Sequence, residues 1–177
     1  MTTAQSEQFR IYLVRHAHAA WPAPIMADHD RPLDAVGLEE AGVLAELIAD
    51  NNHQPDHVFC SSAARCRQTL EIIEPKLTGS PDITLHRPLY SGSFEAYLDL
   101  IEINAERAPR SIMIIGHNPM LEETAEALLL HDKGGLAEAL SEGFPTAGLF
   151  IADNVSTLRP AANGYARFVD LLYPVDA

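Results

Sequence analysis

Along this chain, short apolar runs rich in β-branched residues take turns with longer stretches whose apolar positions recur at helical spacing. Ile11-Tyr12-Leu13-Val14 is the first run, and it leads directly into Arg15-His16-Ala17-His18. The pattern predicts a buried strand that delivers polar groups at its C-terminal end. A loop follows from Ala20 to Asp34, holding three prolines and the cluster Asp28-His29-Asp30-Arg31-Pro32-Leu33. Ordered loops of that length are often functional. Leu38, Ala41, Ala45 and Ile48 then share one face, which predicts a helix from about Asp34 to Asp50 ended by Asn51-Asn52. His57-Val58-Phe59-Cys60 reads as a second strand. Ser61-Ser62 is placed to cap a helix with the apolar face Cys66, Leu70, Ile73 and Leu77, closed by Thr78-Gly79.

Ile83-Thr84-Leu85 is a third strand candidate, followed by Arg87-Pro88-Leu89-Tyr90 and a helix around Phe94 to Arg107. Ser111 to Ile115 is the most apolar strand, as expected at the centre of a sheet covered on both faces. Gly116-His117 follows, and Asn118-Pro119 has the composition of a helix start, with Asn as cap and Pro in the first turn. Gly134 to Gly143 is weakly helical. Thr146 to Ala152 and Tyr165 to Tyr173 read as strands, the latter preceded by the turn dipeptide Asn163-Gly164. The expected architecture is a three-layer α/β/α sandwich around a mixed, mostly parallel sheet with an antiparallel edge.

Length and charge narrow the picture. A chain of 177 residues suits one domain over 1–177, with 1–8 as a flexible N-terminal extension. Apolar residues make up 47% and charged residues 21%, with no uninterrupted apolar run of membrane-spanning length and no signal-peptide core in the polar first ten residues. A cytoplasmic location is expected. Cys60 and Cys66 lack metal-site spacing and read as small buried hydrophobes. Twelve basic against twenty-five acidic residues give a net charge of -13, which argues against nucleic acid or an anionic membrane as partner.

In so acidic a chain, a local gathering of Arg and His is informative. Arg15-His16 ends the first strand, Arg65 lies in the first helical turn after the second, and His117 follows the most apolar one. If these strands are parallel, all four side chains face one rim of the sheet, where open α/β folds bind ligands. Two guanidiniums and two imidazoles there would form an anion site, with His able to act as nucleophile and Arg matching phosphate oxygens.

The blocks Leu13-Val14-Arg15-His16-Ala17, Cys60 to Thr69 and Ile115-Gly116-His117-Asn118-Pro119 resemble the histidine phosphatase superfamily, with its phosphoglycerate mutase-like fold. The short chain, Arg31-Pro32-Leu33 and Leu89-Tyr90 are most similar to its SixA-type phosphohistidine phosphatases. The resemblance implies that His16 is a nucleophile forming a phosphohistidine intermediate, that Arg15 and Arg65 hold the phosphoryl oxygens, and that His117 completes the cradle. No metal or cofactor is implied. The substrate would be a phosphorylated protein or a small phosphorylated molecule, with Arg31 as a further substrate contact. Ala17 stands where the superfamily's usual motif has Gly, as in the SixA-like branch. The superfamily's Glu acid has no counterpart in Leu89-Tyr90-Ser91-Gly92-Ser93, which leaves His18, Asp28, Asp30 and Glu95 as candidates for the general acid.

Two other classes compete. His16, His18 and His117, with Asp28 and His29 nearby in sequence, could instead serve a metal-dependent hydrolase, although Arg15 would repel the cation. The same basic pocket could also belong to a non-catalytic module that binds phosphate.

Overall fold

The computed structural model describes residues 8–107, 110–154, 164 and 166–175. Strand β1 (Phe9–Arg15) leads through a loop with a 3-10 turn at Asp28–Asp30 to helix α1 (Ala35–Asp50). Then come β2 (His57–Cys60), α2 (Ala64–Ile73), β3 (Asp82–Leu85), α3 (Pro88–Ser91) and α4 (Glu95–Ala105). β4 (Ser111–Gly116), α5 (Met120–Leu128), α6 (Lys133–Ala139), β5 (Leu149–Asn154) and β6 (Ala166–Leu172) complete the order. Among the described residues, no helix is long and apolar enough to cross a membrane.

The six strands form one sheet in the order β3-β2-β4-β1-β5-β6. β3, β2, β4 and β1 are mutually parallel, whereas β5 runs antiparallel to β1 and β6 antiparallel to β5. This is the mixed α/β/α sandwich expected, with its antiparallel edge.

Alternation along the strands separates two cores, because successive side chains point to opposite sheet faces. Ile11, Leu13, Phe59, Ile112, Ile114 and Phe150 pack with α4 and α5 residues such as Tyr97, Ile101 and Leu121. Tyr12, Val14, Val58, Cys60, Met113, Ile115 and Ile151 pack on the other face with Leu44, Ile48, Cys66 and Leu70 of α1 and α2. Cys60 and Cys66 are free and buried, as their composition implies.

Several local expectations are corrected. Leu38 is 52% exposed, and Leu44 takes its place on the buried face of α1. Asp34 caps that helix, accepting from Gly37 N at 2.9 Å. Neither Ser61 nor Ser62 caps α2; the cap position is Ala63, without a side-chain bond, because Ser61 is drawn to His117. Asn118 does not cap α5 either: the helix starts at Met120, and the Asn118 amide donates to Glu122 Oε1 at 2.8 Å. β5 begins at Leu149 and not at Thr146, since Gly148 N bonds Pro145 O at 3.1 Å and Ala147 has φ 50°, which makes a turn of Pro145 to Gly148. Gly164, with φ 78°, is in the left-handed region a turn glycine adopts, while its predicted companion Asn163, the strand residue Tyr165 and residues 1–7 of the expected extension lie outside the described residues.

Candidate functional site

Because β4 lies between β1 and β2, the C-terminal ends of three parallel strands meet. Backbone bonds beyond the strands lock them together: His16 N donates to Gly116 O at 3.2 Å, and Ser61 N to Ile115 O at 3.0 Å. His16 and His117 therefore stand side by side, their ring centroids 5.2 Å apart.

The half-buried His16 ring has a defined tautomer. Its Nδ1 is 2.7 Å from the carbonyl oxygen of Ala17, which can only accept, so Nδ1 carries the proton. Its Nε2 faces Arg65 Nε–H at 3.2 Å and must present a lone pair. Burial pushes the imidazole down to about 4, and the nearby positive charges of Arg65, Arg15 and Arg31 act in the same direction. His16 is thus a neutral imidazole at physiological pH with its basic nitrogen directed at a guanidinium.

Arg65 is itself 7% exposed and held from several sides. Its Nη1 donates to Asp28 O at 2.7 Å and its Nη2 to Asp28 Oδ2 at 3.1 Å. Thr69, buried one turn along α2, donates to Arg65 O at 2.8 Å and accepts from Ala17 N at 3.1 Å, tying the helix to the residue after His16. His117 is buried. Its Nε2 lies 2.8 Å from Ser61 Oγ, its backbone N–H donates to Tyr97 Oη at 3.2 Å, and burial, with His16 and Arg65 adding, lowers its ring to about 3. Tyr97 Oη in turn donates to Leu89 O at 2.9 Å. Cys66 Sγ sits 3.5 Å from His117 Nε2, and burial pushes its thiol up to about 12, so it packs the site as an un-ionised group.

Arg15 ends β1 with its Nη1 donating to the carbonyl of Phe144 at 2.6 Å. The spatial gathering of Arg15, His16, Arg65 and His117 at one sheet rim matches the strand-end reading. Arg31 also joins the site, bonded to Ala20 O at 3.0 Å and Asp28 Oδ1 at 2.9 Å.

The acid candidates fare differently. Asp28 enters the site, but Arg31 holds its carboxyl below the usual carboxylate range, with Arg65 and Tyr90 bonds adding, so it is a carboxylate and not a stored proton. His18 Nδ1 pairs with Asp34 at 2.7 Å, Asp30 with His29 at 3.2 Å, and Glu95 with Ser93, which keeps the Glu95 carboxyl ionised. The metal-ligand reading does not find its donor set. His18 is committed to Asp34, a cation faces the His16 lone pair, and among the described residues no three His, Cys, Asp or Glu side chains gather at metal-binding range.

Several contacts escaped sequence reasoning. Ser61 looks like a helix cap yet supports His117, and Tyr90 bonds Asp28 Oδ2 at 3.2 Å with its ring edge toward His117. His29 Nε2 meets Ser62 Oγ at 3.0 Å, and its ring packs edge-on against Tyr90 with centroids 4.8 Å apart. The SixA-type resemblance of Leu89-Tyr90 is the available sequence signal for Tyr90.

A strand-end imidazole beside guanidiniums and a second imidazole, at the C-terminal rim of the parallel strands, makes a compact cationic site of a kind that suits an oxyanion. The chain matches the model of the histidine phosphatase superfamily (branch 1) over residues 11–126, more than half its length, and belongs to that superfamily. An uncharacterised protein of Mycobacterium tuberculosis is 35% identical over 144 residues, which covers 78% of this chain and 85% of the relative. An uncharacterised chloroplastic protein of Arabidopsis thaliana is 32% identical over 128 residues, or 67% of this chain, and the match spans 58% of that protein's length. Among solved structures, one from Agrobacterium tumefaciens, provisionally assigned as the phosphohistidine phosphatase SixA, superposes with a TM-score of 0.80 at 39% identity, covering 94% of this chain and 98% of that one. The protein histidine phosphatase SixA complexed with tungstate shares the fold at TM-score 0.73 and 20% identity, covering 93% and 97% of the two chains.

Proposed function

We propose that this protein is a metal-independent phosphatase that works through a covalent phosphohistidine on His16 and acts on phosphohistidine in a protein or on another phosphorylated molecule. The observation that carries the reading is the His16 ring: neutral, its tautomer set by Ala17 O, and its Nε2 lone pair facing Arg65. That nitrogen attacks phosphorus, the new N–P bond forms, and the bond to the leaving atom breaks with its electron pair on that atom. Arg65 and Arg15 balance charge on the phosphoryl oxygens, with Arg31 and the His117 ring at the margin of the same cradle. Water then attacks the phosphohistidine, the N–P bond breaks, and His16 recovers its lone pair as inorganic phosphate forms and the water proton passes to solvent.

The state of the acid candidates supports a preference. Asp28 and Glu95 are held as carboxylates, so a leaving group that needs no protonation suits the site best. Phosphohistidine with a protonated ring is such a substrate, because it departs as neutral imidazole.

The test compares wild type with His16→Ala on a phosphohistidine-bearing carrier domain and on para-nitrophenyl phosphate, with and without EDTA. Wild type should release phosphate regardless of chelator and trap an acid-labile phosphoryl label, while H16A does neither. Equal release by both proteins overturns the covalent route. Activity that vanishes with EDTA and returns with zinc revives the metal-dependent alternative, and phosphate binding without turnover favours a non-catalytic module.

A further inference from the structure

Arg15 is held unusually for a cation in a phosphate site. Its Nη1 donates to a main-chain carbonyl, that of Phe144, and its buried Nε has no hydrogen-bond partner among the described residues. Phe144 is 129 positions away in sequence and 2% exposed, its ring packed toward Phe150 in the core. What fixes its carbonyl is a carboxylate on the first turn of α5. Glu122 Oε1 accepts from Phe144 N at 2.9 Å and from Asn118 Nδ2 at 2.8 Å, and the same Asn118 amide reaches Phe144 O at 3.3 Å. Asn118 follows His117 directly, so one carboxylate clamps both the segment beside His117 and the segment that lodges Arg15.

We propose that Glu122 is a positioning residue for Arg15: by pinning the backbone at Phe144 it aims the guanidinium at the phosphoryl group, and it thereby sets the affinity of the site for phosphate. This rests on the function proposed above and deepens it. A direct Glu–Arg ion pair would consume the fork of donors and cancel the charge that a phosphoryl group needs. Acting through a neutral carbonyl, Glu122 holds Arg15 in place and leaves its Nε–H uncommitted, a donor whose natural acceptor is a phosphoryl oxygen. Burial lowers the Arg15 pKa, and the negative charges of Glu122 and Glu40 offset that only in part. Glu40 itself is engaged elsewhere, accepting from His18 N at 2.7 Å and Thr146 Oγ1 at 2.8 Å.

Both of the clamp's bonds use Oε1, which makes the conservative variants informative. Glu122→Gln can keep that oxygen and both bonds while losing the charge. Glu122→Asp keeps the charge but withdraws the oxygen by about one bond length, and Glu122→Ala removes both. The expected result is that E122A and E122D each raise KM for para-nitrophenyl phosphate, and the calorimetric dissociation constant of inorganic phosphate, by roughly tenfold, the change expected when one charge-assisted contact is loosened. E122Q should stay within about threefold of wild type. Arg15→Ala should raise the same constants, and adding E122A to it should change them little, since both act on one contact. Phosphate affinity unchanged in E122A and E122D, additivity with Arg15→Ala, or E122Q behaving like E122A would each overturn the proposal. If E122A does not fold, E122D against E122Q carries the same comparison. Phosphate binding is read without turnover, so an active His16→Ala enzyme would count against the catalytic reading alone, whereas a dead H16A beside an unaffected E122A would sink only the role of Glu122.

Discussion

Substitution of Gly116 by Ala should damage both stability and the site, and the size of the effect follows from one neighbour. Gly116 ends β4, and a Cβ there would overlap the Tyr97 hydroxyl and lie 2.6 Å from Tyr97 Cε1 and 2.8 Å from Cζ. Tyr97 cannot yield cheaply, being wholly buried with its hydroxyl bonded to both Leu89 O and His117 N. Forcing the ring aside costs about 1–3 kcal/mol for overpacking, and each of the two buried partners left unpaired costs about 1–3 kcal/mol more. Partial relaxation brings the expected total to roughly 3–5 kcal/mol, a large share of a stability that is typically about 5–15 kcal/mol. Urea unfolding of wild type, Gly116→Ala, Tyr97→Phe and the double variant reads the effect directly. Tyr97→Phe should cost less in the Gly116→Ala background than alone, by at least about 1 kcal/mol, because the hydroxyl's bonds are already broken there. A Gly116→Ala protein within about 0.5 kcal/mol of wild type, or strict additivity in the cycle, would refute the close approach of Tyr97 to β4.

Other outcomes follow from the same contacts. In an NMR titration of the free enzyme, the His16 ring should remain neutral with the proton on Nδ1 until pH falls to about 4, because its pKa is lowered and the charged form appears only below that value; a midpoint near 6.5 would contradict it. Arg65→Lys keeps the charge but loses the fork that spans His16 and Asp28, so kcat/KM should fall on the order of 10²- to 10³-fold, and a loss under tenfold would argue against the Nε–H contact. Thr69→Val removes the acceptor for Ala17 N and should destabilise by about 1–3 kcal/mol in chemical denaturation with kcat falling as well; stability equal to wild type would show that this bond is not made.

The strand ends were readable from the sequence because their signal is local. Apolar runs terminating in Arg15-His16, Ser61 and Gly116-His117 required only period-two burial and the parallel crossover rule to converge. Roles decided by distant partners were not readable in that way. Ser61 has the composition of a helix cap, and only β4 arriving beside β2 turns it toward His117. Asp28 looks like a possible acid until Arg31, Arg65 and Tyr90 are seen to surround it. Leu38 and Leu44 both fit a helical stripe, and the position of α1 on the sheet chooses between them. Glu122 gave no signal, since the partner that links it to Arg15, Phe144, comes from a loop beyond α6.

The strand order also has a consequence for synthesis. β1 and β2 are consecutive in the parallel set, yet they never touch, because β4 occupies the gap between them. A ribosome-bound chain that has not reached Ser111 already contains His16, Arg65 and the Thr69–Ala17 bond between their segments, but it lacks the strand that separates β1 from β2 and the His117 ring beside His16. On the proposed function, turnover therefore waits for the late strand to slot in, and a growing polypeptide should carry only part of the phosphate cradle. Separately produced pieces 1–107 and 108–177 should each be inert and regain turnover only on mixing.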